Sequence, residues 1–558
     1  MRIEGILRAL FAASASLLAS ISSAASQAPP AAPALIGQIT SAQEGAMEGV
    51  VVSARKDGST ITISVVSDGE GRYAFPAAKL LGGHYTLAVR AAGYDLDGAA
   101  AADVVPDLTT AVDLKLRPTE NLPEQLTNSE WIESVPGAPE TKKLFLGCTD
   151  CHTVQRIIES NHTAAEFLQA FGRMAGYYPG AWPEQPQRLV GDARRPALPA
   201  GREKEFADYL ASINLSKVAT HPYPLKTFAR PTGRATRVII TEYDLPRKII
   251  QPHDVIVDND GMVWFSHFGE QFLSKLDPKT GAVTDFPIPE QKPGFPTGTL
   301  DLEADEDGNL WIGLMYQSGI AKFDRKTEKL TIFPIPPEWQ KNTTQQAHIS
   351  PTASKVDGKI WVKNSAGSLI WRLDIATGHY ENVGAFDIPG TNKRITIYGI
   401  NADLQNNLYI LDFGYDNGGI GRIDARTKQL TYFKSPTPDT RARRGKVDTE
   451  NRLWFGEYGG NAIGMLDPKT GTISEWRLPT PWSAPYDAVL DRNGEVWTGS
   501  VMSDRVARLD PRTGQFVEYL LPRETNIRRV FVDNSTTPVT FWVGSNHGAS
   551  IVKVEPLE

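Results

Sequence analysis

Two thiols and an imidazole stand together at Cys148-Thr149-Asp150-Cys151-His152, and these are the only two cysteines among 558 residues. Thiols three positions apart reach the two vinyl groups of a haem while the adjoining imidazole meets the iron. The pattern therefore predicts covalent haem c on Cys148 and Cys151, with His152 as the proximal iron ligand. A zinc knuckle needs two further ligands at close spacing, and a thioredoxin-like dithiol follows a strand at the start of a helix. Here no second cysteine pair exists, and the flanks read as helix.

The sixth iron position decides what such a site does: a thioether raises the potential, an imidazole lowers it, and an open position binds small ligands. Met174, in Gly172-Arg173-Met174-Ala175-Gly176-Tyr177, is the only methionine between 118 and 222 and is the favoured distal ligand. His162 and His221 are the alternatives, with an open position as the third. Ordinary core filling is the competing role for Met174.

The elements that must position these groups follow from periodicity. Glu140–Cys148, Ala164–Met174 and Glu203–Asn214 repeat apolar residues at helical spacing. A helix, then Cys-x-x-Cys-His, then a late helix containing Asp208-Tyr209-Leu210-Ala211 resembles the small class of cytochrome c domains, which places that domain at 118–222.

Ahead of it, residues 1–28 carry Arg2 and Arg8, an apolar run from Ala9 through Leu17-Leu18-Ala19, and the small residues Ser23-Ala24-Ala25. This is the pattern of an export signal, too short and Ser-rich for a stable span. It predicts a periplasmic protein with no transmembrane segment once the signal is cleaved. Residues 29–33 form a Pro/Ala linker. From 34 to 117, short alternating runs at Leu35–Thr40, Val50–Arg55, Thr60–Val66, Tyr73–Phe75, Tyr85–Arg90 and Ala111–Leu116 predict a β-sandwich. Val66-Ser67-Asp68-Gly69-Glu70-Gly71-Arg72-Tyr73-Ala74-Phe75 with Gly83-His84-Tyr85-Thr86-Leu87-Ala88-Val89-Arg90 resembles the carboxypeptidase regulatory-like domain. That resemblance implies an accessory module without chemistry, with His84 as a turn residue.

The C-terminal half, 237–558, repeats itself. Asp- or Asn-rich turns ending in an aromatic recur at Asp258…Trp264, Asp305…Trp311, Asp357…Trp361, Asp403…Tyr409, Asp448…Trp454, Asp491…Trp497 and Asp533…Trp542. Seven copies at a period of about 45 residues predict a seven-bladed β-propeller. Each of the first six continues with a hairpin phrase such as Leu276-Asp277-Pro278-Lys279-Thr280-Gly281. The outer-strand phrase Glu242-Tyr243-Asp244-Leu245-Pro246 appears once before the first blade, whereas the last blade lacks one after Val552-Lys553-Val554. The early strand is therefore expected to close the ring on blade seven. The whole chain is expected to be multidomain and mainly β: sandwich, small helical domain, propeller.

Trp264-Phe265, Pro252-His253-Asp254-Val255 and Leu453-Trp454-Phe455-Gly456-Glu457-Tyr458-Gly459-Gly460-Asn461 look like the streptogramin B (virginiamycin B) lyase family. The resemblance implies a seven-bladed propeller that opens a cyclic depsipeptide by Mg2+-assisted elimination. In that family a glutamate holds the metal, and Glu457 matches it, the weak catalytic candidate with Mg2+ as its cofactor. The family's base, fourteen residues earlier, falls on Arg443; its second histidine falls on Tyr398 and a further glutamate on Arg441. A guanidinium keeps its proton at neutral pH, so Arg443 takes no proton from a substrate.

The same loop positions bring His253, Arg443, Arg444, Glu457 and Arg528 to one mouth of the channel as candidates for a small anionic ligand, unless the arginines pair with Asp residues across the blades. The net charge of −7 argues against a nucleic-acid partner. The reading favoured by these residues is a periplasmic c-type haem protein that exchanges electrons with a partner protein, its propeller binding a substrate or partner. As an enzyme it would be an oxidoreductase component rather than a lyase; a Glu457-dependent lyase and a non-catalytic binding or sensor protein are the alternatives.

Overall fold

The computed structural model describes residues 32–183, 185–196, 198–215, 222–415 and 418–557. The export signal, the start of the linker and His221 lie outside the described residues. Pro33, read as linker, already opens the first strand, Pro33–Ser41.

That strand pairs antiparallel with Arg72–Pro76 and parallel with Leu114–Pro118, so the first sheet of the N-terminal module is mixed. A second sheet runs through Ile61–Val66, Val51–Lys56, Gly83–Arg90 and Ala100–Val104. Alternation along these strands puts Leu35, Val52, Phe75, Leu87 and Leu116 into one core between the sheets, a β-sandwich-like packing. Apolar alternation exposes the sequence signal wherever a strand has one wet face.

After it the chain builds six four-stranded antiparallel sheets in sequence order and a seventh from Ile527–Asp533, Thr540–Ser545, Ser550–Pro556 and the early strand Val238–Asp244. The inner strand of each sheet touches the next sheet, and that of the first, Pro252–Val257, touches Ile527–Asp533 of the seventh, so the ring is closed. Val238 pairs with Pro556 and Asp244 with Ser550 across the closing strand. Its other edge is occupied too: Ile239 pairs with Val65 and Tyr243 with Ile61 of the sandwich. Seventh blade and sandwich are thus one continuous eight-stranded sheet.

The repeated aspartates have a common role. Asp258, Asp305, Asp448 and Asp491 each accept a hydrogen bond from the indole six residues on, at 2.8–2.9 Å, while their other oxygen accepts backbone N–H groups of the turn. One carboxylate therefore holds both the turn and the blade's aromatic. The hairpin glycines Gly281, Gly378, Gly471 and Gly514 all lie near φ +70°, and in the two blades without glycine Glu328 and Lys428 adopt that left-handed conformation instead.

Between sandwich and propeller lie five short helices, Asn128–Ser134, Pro139–Lys142, Val154–Ile158, Ala164–Met174 and Glu203–Ile213. They share one core that includes Trp131, Phe145, Val154, Phe167, Phe206 and Leu210. Helix Ala164–Met174 has the expected bounds, and the capping box of Thr163 with Glu166 starts it. The stretch expected as one helix over Glu140–Cys148 is instead a single α-turn followed by a 3-10 turn, Lys143–Gly147. The molecule is mainly β with few helices, and a cytochrome c domain is not evident from its outline. Among the described residues no helix is long and apolar enough to cross a membrane.

Candidate functional site

The 3-10 turn ends at Gly147 and delivers Cys148, whose N–H is held by the Phe145 carbonyl at 2.8 Å. Five residues on, Thr153 caps helix Val154–Ile158, and the Asn128 side chain accepts the Val154 N–H at 2.8 Å. The five motif residues are therefore a short loop pinned at both ends. Both thiols are free, and burial first, then the charge of Asp150, pushes each up to about 12. A redox dithiol is activated by a lowered thiol pKa, and burial shifts these two the other way. His152 Nδ1 lies 3.1 Å from the Thr153 carbonyl, and burial holds the ring's pKa down. With Nδ1 donating there, Nε2 keeps its lone pair, as a metal ligand requires.

Cys148, Cys151 and His152 open into a cavity of about 920 Å3, at the upper end of ligand clefts, which span roughly 300–1,000 Å3. Its walls are apolar, with Phe167, Phe171, Leu198 and Leu210 among them, and Arg156, Arg173 and Arg195 supply cations. Met174, at the end of its helix and 45% exposed, lines the same cavity, as does His162, whose ring meets Phe167 edge-on. Thiols, imidazole, two candidate distal ligands and an apolar slot of this size fit a haem.

The loop does not face solvent on its other side; it faces the propeller mouth. Tyr458 donates to the Leu146 carbonyl at 2.7 Å, Asn526 to the Thr149 carbonyl at 3.2 Å, and the Thr149 hydroxyl to Met502 Sδ at 3.4 Å. His547 Nε2 meets the Asp150 carbonyl at 3.2 Å, and the Asp150 carboxylate pairs with Arg528 at 3.2 Å and Arg195 at 3.0 Å. Nothing in the sequence assigned roles to Arg195, Asn526 or His547. The available signal was Asp150, the one charged residue between the cysteines, opposite a mouth rich in arginine.

Most mouth arginines are paired within the chain. Arg444 pairs with Asp301, Arg529 with Asp254 at 3.1 Å, Asp487 at 3.0 Å and Glu303 at 2.6 Å, and Arg528 with Asp150. Cross-blade pairing, the competing reading of these residues, describes Arg444 and Arg529, whereas Arg528 pairs outside the ring with the motif loop. Arg443 has no carboxylate; its guanidinium lies 4.2–5.1 Å from the ring centroids of Tyr398, Phe413, Tyr458 and Tyr486. His253 bonds Asp254 at 2.6 Å and Tyr486 at 3.1 Å, and burial brings its pKa down to about 4. Glu457 is fully buried with neither carboxyl oxygen hydrogen-bonded, and burial, then the charge of Glu475, pushes its pKa up to about 9. It is a neutral acid at pH 7. Among the described residues no group of three or more His, Cys, Asp or Glu side chains could hold a metal ion.

Residues 293–556 match the model of the Virginiamycin B lyase family, and residues 34–117 that of the carboxypeptidase regulatory-like domain. A streptogramin B lyase structure is 24% identical, covers 58% of this chain and 99% of its own length, with a TM-score of 0.50. At that identity it shows a shared propeller fold. The virginiamycin B lyase of Staphylococcus aureus is 22% identical over 56% of this chain and 98% of its own, at a TM-score of 0.47. No curated protein matches this chain.

Proposed function

We propose that this is an exported, periplasmic c-type haem protein that transfers single electrons to or from a partner protein, with the propeller as the rigid support of the haem loop. The observation that carries the reading is the 920 Å3 cavity into which both thiols, His152 and Met174 all open. The Cys-x-x-Cys-His pattern and the order of helices, similar to small cytochromes c, add to it.

Each thiol would add its S–H across one vinyl double bond, forming one C–S and one C–H bond with no net oxidation. The bound haem would supply a one-electron ferric/ferrous couple. The chain's part is positional: the Thr153 carbonyl orients the imidazole, Phe167, Phe171, Leu198 and Leu210 exclude water, and Arg156, Arg173 and Arg195 attract the propionates. Exposed Leu168 and Met174 mark the side of the cavity open to a partner.

Lyase chemistry lacks comparable support. Arg443 stands where the family's base would be, and a protonated Glu457 is a poor ligand for Mg2+. The mouth serves the haem loop rather than a free anion, since its own carboxylates answer Arg444 and Arg529 and the loop's Asp150 answers Arg528. Protein exported from a host that matures c-type cytochromes should give a haemochrome spectrum, lost when Cys148 and Cys151 are both changed to Ser. Equal haem content in wild type and double variant would defeat the proposal.

A further inference from the structure

The motif loop reports to the propeller through one ion pair. Asp150, between the two cysteines, is shared by Arg195 of the helical layer and Arg528 of the last blade's inner strand. Asp150 and Arg195 line the cavity, and Arg528 stands behind Asp150. The Arg528 side chain is 2% exposed, and its Nε and one terminal nitrogen make no hydrogen bond. Among the described residues Asp150 is its only carboxylate partner; that carboxylate is half turned to Arg195, whose side chain is 42% exposed, so Arg528 is the buried cation of the three. Charge at such a site is unscreened by salt and acts through a low effective dielectric. Arg156, Arg173 and Arg195, which line the cavity, are by contrast exposed.

We propose that Arg528 is a positioning residue that holds the Asp150 carboxylate against the propeller and, through its buried positive charge, raises the reduction potential of the haem. The inference rests on the cavity being the haem site. Ferric iron carries one more positive charge than ferrous, so a nearby fixed cation disfavours the oxidised state. One electron moves from a one-electron donor protein, and no bond is made or broken. The propeller would then be the element that sets the potential of a cofactor it does not ligate.

Equilibrium redox titration of the haem-loaded full chain, followed by its visible spectrum, tests this with Arg528→Gln, Arg528→Lys and Asp150→Asn. Arg528→Gln should lower the reduced-to-oxidised ratio at a given poise by roughly three- to tenfold, tenfold being about 59 mV for one electron. Arg528→Lys, which keeps the charge, should stay within about twofold, and Asp150→Asn should raise the ratio. A purely structural clamp is broken by both charge-removing changes and would move both potentials the same way. That result, or an unmoved potential in Arg528→Gln, overturns the inference while leaving the haem site standing. A wild-type chain without haem overturns both. Should Arg528→Gln not fold, a raised ratio in Asp150→Asn against an unmoved Arg528→Lys sustains the inference, and a lowered or unchanged ratio in Asp150→Asn ends it.

Discussion

At the scale of single residues, the sharpest consequence concerns Glu457, buried with no hydrogen-bond partner. Its folded pKa is raised, to about 9. The fold therefore favours the protonated form: stability is fully present below the unfolded pKa and is lost as pH rises from about 4.5 towards 9. Glu457→Gln should leave thermal stability near wild type at pH 4 and raise it by several kcal/mol at pH 8, about 1.4 kcal/mol for each pH unit above the unfolded pKa. Unfolding curves at the two pH values check this; a gain of equal size at both would show that ionisation is not the cause. A second residue-scale test uses Glu328, held at φ +54° where other blades have glycine. Glu328→Gly should stabilise by about 1 kcal/mol, read as a higher unfolding midpoint, because left-handed backbone costs an L-residue roughly that much. Met174→Ala, if Met174 is the distal ligand, should abolish the weak long-wavelength band of thioether-ligated haem; a persisting band would reassign the ligand. The chemistry-bearing residues were legible because their types and spacing are local. Their partners were not: Arg528 and His547 lie almost 400 positions from Asp150, and no sequence period links them.

At the scale of elements, the blades were legible because four of the seven repeat the same physical device, an aspartate that bonds its own turn and the indole six residues on, and the others keep the aspartate and the aromatic. Blade seven keeps its tryptophan nine residues after Asp533, and there the indole turns to Thr540 at 3.2 Å instead. The closing strand Val238–Asp244 was legible from its misplaced outer-strand phrase, but only on one edge. Its second pairing, with Ile61–Val66, depends on where the sandwich settles, and every residue from Val238 to Tyr243 is buried as a result. Ile240→Asp, at a fully buried position, should cost at least about 3 kcal/mol through an unpaired buried charge. Limited proteolysis should then release sandwich and blade seven together; loss of the sandwich alone would argue against a shared sheet.

At the scale of the whole molecule, the helical layer and the propeller meet at the motif loop, and the sandwich joins the propeller at its closing strand. The helical layer supplies the cavity, the propeller backs the loop, and the sandwich ties the ring closed from outside. The C-terminal half of the chain thus shares the propeller fold, while its mouth is filled by Tyr458, Asn526, Arg528 and His547 reaching for one loop. On this account the propeller's function is exerted on the haem. The most direct measurement is the mass of the tryptic peptide Leu144–Arg156, which contains both cysteines and His152, from protein exported by a cytochrome-maturing host and digested after denaturation. The account predicts that peptide with one haem covalently attached. The unmodified peptide alone, with both thiols open to alkylation, would contradict it.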